Sequence, residues 1–404
     1  MVLDLTAFDP ILKSHYVKKR IWHLAELKNP FYSKVSRNKK AGGKHIVQPI
    51  DFENPTGGSA DIAKAISNTG ASNYEDFVIT RSKNYQVALI DNETIHASME
   101  NENAFLPALK EISKAFKAAG RRDAWQLYRT SGGAKGRLES GTTLTGAVAN
   151  LDDHADAFNF QVGEKVAFAE NNGTGALRDS GAVLTVSAID RENGQITFSA
   201  NLNTVTGIAD TDYMFADGDF GANAAGLGSW LPTDRSVLTT AYFGVTRSED
   251  EDRLGGIYRD STGEPIDEAL QKLTASVAKH GGAPDYAFMN PETLSDLLLI
   301  VGAKSRYEMT VVKGQAQIGF KGFNIVAGGR EITCVGDVNC PTNLLYVLQM
   351  DTWTLHSAGE SPMFLDRDGL LQRSTNADSY EVRVGGYRNL GCSAPGYNGV
   401  AKLA

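Results

Sequence analysis

The sequence predicts an α+β chain built from several parts, and three observations carry that reading. A single long amphipathic helix stands over Phe105–Ala119. Five or six short strand patterns crowd the stretch from Asp156 to Phe220. Beyond Pro232, helical and strand patterns mix. The 404 residues give room for two or three domains and for a core that needs no disulfide staples. Hydrophobic residues make up 42% and charged residues 22%, the usage of a soluble globular protein. The net charge of −8 argues against a dedicated nucleic-acid binder, which carries a basic excess. An acidic wall around packed phosphates remains compatible with it, because such a wall does not adhere to them.

Taken in order, the first thirty residues read as an arm. Phe8, Ile11, Leu12, Tyr16, Ile21, Trp22, Leu24 and Leu27 form a loose apolar pattern, broken by Lys18, Lys19 and Arg20 and closed by Pro30. So much apolar surface must dock, either on its own chain or on a neighbour. No basic region followed by an apolar core opens the sequence, so no signal peptide is read and folding in a cytoplasm is expected. The longest apolar run, Leu297–Val301, is too short to cross a bilayer.

Ser33 to Asn73 is rich in Lys, Gly, Ser and Asn. The alternation in His45–Phe52 reads as a strand, and a partner strand is expected from Asp76 through Ile90. A polar excursion this long between paired strands is unusual within a compact domain. It suits an arm that becomes ordered on a neighbouring subunit. Phe105, Leu109, Ile112, Phe116 and Ala119 then line one face of a helix. Pro107 sits in its first turn, and Gly120, Arg121 and Arg122 are expected to end or bend it.

Strand patterns follow at Phe158–Val162, Val166–Phe168, Val183–Val186, Ile196–Phe198 and Tyr213–Phe215, separated by turn signals at Asn172-Gly173, Ser180-Gly181 and Asn193-Gly194. Asn-Gly tolerates the positive φ of a two-residue turn, so Ile189 to Ser199 is read as a hairpin. The whole stretch predicts an inserted small β-barrel or sandwich. Further on, Ile266–Lys279 reads as a helix between Pro265 and Gly281-Gly282, and a second helix starts at Pro291. Strands are expected at Tyr286–Met289, Phe323–Val326, Ile332–Val335, Asn343–Leu348, Trp353–His356 and Ser379–Val384.

A search for chemistry finds little. Gly132–Arg137 resembles a phosphate loop in composition but lacks the Ser/Thr that would meet magnesium. There is no nucleophile elbow and no His-Glu-x-x-His. The seven histidines show no ligand spacing. Three cysteines, Cys334, Cys340 and Cys392, lack the spacing of a redox or zinc knuckle and read as buried thiols in a reducing compartment. The acidic run Ser248–Asp252 does not interleave its ligands as calcium loops do and reads as a solvated face, while Asp366–Gly369 has some character of a calcium turn that a β-turn explains equally well. No catalytic, cofactor-binding or metal residue is assigned.

The order of parts resembles the major capsid proteins of tailed bacteriophages, the Hong Kong 97-type fold. Lys34 to Tyr74 is similar to that family's extended loop, and Asn103 to Arg129 to its spine helix. Pro265 to Gly359 is similar to its axial domain, where Asp285–Pro291 runs strand, Asn-Pro, helix as those proteins do. Tyr380 to Leu403 is like the last peripheral strand and tail. The resemblance implies an N-terminal arm over 1–33, an extended loop over 34–75 and a peripheral domain over 76–150. An inserted β-domain over 151–225, an axial domain over 226–360 and a return with a C-terminal tail over 361–404 complete it.

It also implies a structural subunit, not an enzyme, that assembles with itself into the hexamers and pentamers of an icosahedral head enclosing double-stranded DNA. Its place would be the virion, assembled in the bacterial host's cytoplasm. Implied partners are further copies of the chain, a portal protein, a scaffolding protein and a decoration protein, with DNA contacted non-specifically and no membrane. The residues expected at subunit contacts are Phe8, Ile11 and Trp22 on the arm, Lys39, Lys40 and Lys44 on the loop, and Glu249, Asp250, Glu251 and Asp252, with the lysines meeting the acids of another copy. The competing readings are another shell or tube protein (a nanocompartment shell or a tail tube) and a hydrolase with an appended β-domain.

Overall fold

In a computed structural model, residues 29–92, 105–304, 323–365, 369, 372–374 and 378–403 are described. The arm residues Phe8, Ile11 and Trp22 and most of the Asp366–Gly369 turn lie outside them.

One strand, Ser379–Cys392, organises the first sheet. It pairs antiparallel with Ser82–Asp91 along its first part and with Trp353–Ser357 at its end. Val382 and Val384 are buried while Arg383 is exposed, as the alternation predicts. The strand runs past the expected end through Gly385 and Gly386, where space is tight: a Cβ on Gly386 would stand 2.1 Å from the Ser361 hydroxyl, which would have to move. Ser36–Asn38 joins this sheet parallel to Trp353–Ser357, so the start of the expected loop is part of the body.

The long helix Phe105–Gln126 lies on this sheet. Ile112, Phe116 and Ala119 are buried as the stripe predicts. Contrary to expectation, the helix neither ends nor bends at Gly120. The same face continues at Asp123 and Gln126, both buried, and polar residues on an inward face hid that continuation.

Six short strands form the second sheet, in the order Gly136–Arg137, Tyr213–Ala216, Lys165–Ala169, Val183–Asp190, Gln195–Phe198 and Val148–Asn150. Its ends meet. Leu138 bridges Leu151, Glu139 N–H donates to the Asn150 carbonyl and Asp152 N–H to the Arg137 carbonyl. The sheet is therefore a closed barrel, filled by Phe160, Val166, Phe168, Val186, Ile196, Phe198 and Met214. It starts upstream of residue 151, at Gly136. The expected Asn-Gly hairpin is present, but Asp190 pairs with Gln195, which leaves a four-residue turn. The Asp190 carboxylate accepts from the Glu192 and Asn193 backbones and holds it. Phe158 is not in a strand; His154–Asn159 is a 3-10 turn capped by Asp153.

The third sheet runs Ile257–Asp260, Gly399–Lys402, Leu344–Leu348, Tyr286–Met289, Arg330–Gly336, Phe323–Ala327. Helix Ile266–Lys279 covers it with Leu270, Leu273 and Val277, and helix Pro291–Lys304 packs beside it.

The expected single strand from Asp76 to Ile90 is two strands. Asn73–Ile79 pairs with Ile46–Glu53 as a separate hairpin, and Ser82–Asp91 belongs to the first sheet. Thr80 and Arg81 break it. The Arg81 guanidinium turns back to the Ala41 and Gly43 carbonyls.

Candidate assembly interface

The hairpin is anchored along most of its length. Ile50, Phe52, Phe77 and Ile79 are buried. The Phe77 ring meets Trp230 at 5.0 Å and Tyr242 at 6.5 Å. Val78 N–H donates to the Phe243 carbonyl at 2.8 Å, and the Arg253 guanidinium donates to the Phe52 carbonyl. Trp230 ties this cluster to the first sheet by donating from Nε1 to the Leu390 carbonyl at 3.0 Å.

Only the distal segment, 54–72, stands off the body, and it is itself structured. Asp61 caps a helix over Ile62–Ser67 by accepting from Ala63 N–H at 2.9 Å. Gly70 N–H donates to the Thr56 carbonyl, also at 2.9 Å. This helix buries none of its residues. Ile62 is 75% exposed and Ile66 69%, four apart and on one face. Tyr74 and Val47 add apolar surface along the hairpin. Ile62 and Ile66 thus form a small exposed apolar patch on this helix. Burying both would contribute roughly 2–4 kcal/mol, given about 1.5–3 kcal/mol for a fully buried isoleucine. A second apolar patch, Tyr85, Val87 and Leu89, faces outward from the strand on the first sheet.

The lysines expected on the loop, Lys39, Lys40 and Lys44, are all exposed, the first two beside the first sheet. Lys40 bridges Ala358, and Lys39 Nζ lies 3.6 Å from Glu360. Lys44 is exposed just ahead of the hairpin. The acidic run is engaged within its own chain. Asp250 caps the helix Glu251–Gly255 by accepting from Arg253 N–H, and Arg235 lies 3.3 Å from Asp252 and 3.9 Å from Glu251. Glu249 remains exposed. Because Arg253 holds Phe52, this run flanks the far end of the hairpin strand, eight residues along from Lys44, up to about 26 Å in extended chain.

The helix tip was missed by sequence reasoning, although Asp61 followed by Ile62 and Ile66 carries a cap and a helical spacing. Also unforeseen was the buried polar joint under the helix. The Arg388 guanidinium and Asp123 carboxylate, both fully buried, form an ion pair. Asn84 donates to the same carboxylate, the Tyr32 hydroxyl donates to it at 3.4 Å, and Arg388 donates to Gln126 Oε1 at 2.8 Å. Burial pushes the Asp123 carboxyl above its ordinary value, opposed by Arg388. Ion pairs also fasten the barrel to the helix and its C-terminal extension: Arg122 to Asp219 and Arg129 to Asp156. Among the described residues, no cluster of side chains could hold a metal ion, and no helix is long and apolar enough to cross a membrane.

No protein-family model matches the sequence, and neither does any curated protein. Solved structures do. The capsid asymmetric unit of cyanophage A-1(L) aligns over 93% of this chain and 91% of its own, at 13% identity and a TM-score of 0.55. The capsid of an empty GTA particle aligns over 94% and 90%, at 9% identity and 0.48, and a Mycobacterium phage Bobi chain over 93% and 91%, at 8% and 0.45. The first of these likenesses fixes the class of fold, that of a phage capsid protein. More particularly, the chain has the Hong Kong 97-type α+β fold, as the order of its parts led one to expect.

Proposed function

We propose that this chain is the major capsid subunit of a tailed phage, which assembles with itself into the hexamers and pentamers of an icosahedral head around double-stranded DNA. The observation that carries the reading is the anchored hairpin with its uncovered helix at Ile62–Ser67. A neighbouring copy supplies the missing cover, and head-to-tail contacts of this kind close into rings. The capsid fold points the same way. A portal protein, a scaffolding protein and a decoration protein complete the particle, and the head is the protein's location. Electron microscopy of the purified chain, alone and with a scaffolding protein, tests the proposal. Closed particles with five- and six-fold capsomers are expected. Monomers that persist at high concentration in both samples would overturn it.

A further inference from the structure

The seam between the long helix and the barrel is lined with cations, most of them matched to a carboxylate. Arg122 meets Asp219, Arg129 meets Asp156 and Lys135 meets Glu164. Arg121 and Arg191 differ. Arg121 Nη2 donates to the Phe158 carbonyl at 2.7 Å. Arg191 Nη2 donates to the Phe160 carbonyl at 3.4 Å, with its guanidinium 6.0 Å from the Phe158 ring. Two guanidiniums thus converge on three residues, each exposed, and among the described residues neither pairs with a carboxylate. Each has five N–H donors, so most remain for an incoming acceptor. Partial desolvation where Arg121 lies along the seam, and then the charge of Arg191, pull its guanidinium below its ordinary value, as expected of a pair that lacks an anion. Arg121, though not Arg191, also lines a cavity of about 310 Å³ with Arg122, Trp125, Lys135, Glu164 and Asp219, which leaves open space beside its guanidinium.

We infer that Arg121 and Arg191 form a receptor for an acidic side chain of a second copy of this chain. The inference rests on the assembly reading above. A planar guanidinium takes a carboxylate through two parallel bonds, and the anion relieves the repulsion between the two arginines. Another copy is the fitting source. The chain carries 48 acidic against 40 basic residues, and carboxylates such as Glu249 stand exposed. The same excess of acid repels nucleic-acid phosphates.

The test uses assembled particles of the Arg121→Lys variant, built from an equal mixture of isotopically light and heavy chains. A carbodiimide couples the introduced amine to a carboxylate in contact with it, and mass spectrometry reads the joined peptides. The expected product joins position 121 of one copy to an Asp or Glu peptide of another, seen as mixed-isotope pairs. In parallel, the Arg121→Gln/Arg191→Gln double variant should fold with an unchanged melting profile, yet need about tenfold more protein to assemble, the equivalent of losing one charge-assisted contact. Particles that form as readily from the double variant, or coupling confined to single-isotope pairs, overturn the receptor while leaving the assembly reading intact. A wild-type chain that never associates overturns both.

Discussion

Replacing Arg388 with Met tests how the long helix is joined to the sheet. Arg388 is fully buried, and its partner Asp123 is equally enclosed. The methionine fills much of the volume but leaves Asp123 as a buried carboxylate hydrogen-bonded by Asn84 and Tyr32, without its contacting cation. Removing one partner of such a pair costs about 3–5 kcal/mol. The double variant Asp123→Leu/Arg388→Met removes both charges and should recover at least about 2 kcal/mol of that loss, since apolar replacement of a buried pair is often near neutral. The pH dependence has a definite sign. Burial already raises the Asp123 carboxyl, and Arg388 is the largest influence pulling it down. Without Arg388 it rises further, so the folded state binds a proton that the unfolded state has released above about pH 4. The Arg388→Met variant should therefore be most destabilised at neutral pH and approach the wild type as pH falls towards 4. Urea unfolding of the unassembled subunit, followed by circular dichroism at pH 7.5 and 5, measures both effects. A single variant that loses under 1 kcal/mol at pH 7.5, or a double variant that loses the sum of both singles, would refute the reasoning.

The remaining predictions are briefer. Ile62→Asp/Ile66→Asp should leave subunit stability within about 0.5 kcal/mol, as at other exposed positions, while abolishing particles in sedimentation; particles in normal yield would count against the hairpin tip as a contact. His356 is held by burial below its ordinary value, so the unfolded chain takes up its proton first and stability is lost as pH falls below about 6.5. A His356→Gln variant should lose less melting temperature between pH 7.5 and 5.5 than the wild type, and an identical drop would remove the histidine from the explanation. Burial pushes the Cys334 and Cys392 thiols up to about 12 and raises Cys340 well above its ordinary value. A thiol reagent at pH 8 should therefore label the folded subunit hardly at all and three groups per chain in urea; fast labelling without urea would contradict the burial of all three.

Elements whose apolar pattern decides their own packing were legible in the sequence. Ile112, Phe116 and Ala119 face inward as spaced, Leu270, Leu273 and Val277 cover the third sheet, and Val382 and Val384 alternate with Arg383. What failed depends on partners distant in sequence. Asp123 and Gln126 carry the helix's inward face past Gly120 because Arg388 waits beneath them, 262 to 265 positions along the chain. The Asp76–Ile90 run looks continuous, yet its halves answer to different strands, Ile46–Glu53 and Ser379–Cys392. Barrel closure through Leu138 and Leu151 leaves no periodic trace in strands of two and three residues. At the interface, a run of lysines and a run of acids drew attention because charge is conspicuous in a sequence. The structure sets Asp250, Glu251 and Asp252 beside Arg235 and Arg253 while leaving Glu249, Glu251 and Asp252 exposed, and it adds an exposed apolar pair, Ile62 and Ile66, that no charge marks.

The hairpin's anchoring bears on how a shell could form from chains that stay soluble beforehand. A tip on a freely moving arm would lose conformational entropy on docking, about 1–2 kcal/mol for each residue fixed, and two isoleucines could not offset that over a long segment. Here the ordering is done within the subunit. Phe52 and Phe77 are buried against the body, the Asp61 cap and the Thr56–Gly70 bridge fix the turn, and the isoleucines arrive already placed. Docking then spends little on ordering the backbone, so a small apolar contact suffices. In the proposed shell, each such contact would be weak alone and keep single subunits reversible, and a closed ring would multiply it. On the proposed reading, a substitution at Arg388 alone acts on the fold while one at Ile62 and Ile66 acts on assembly, so the two can be altered separately.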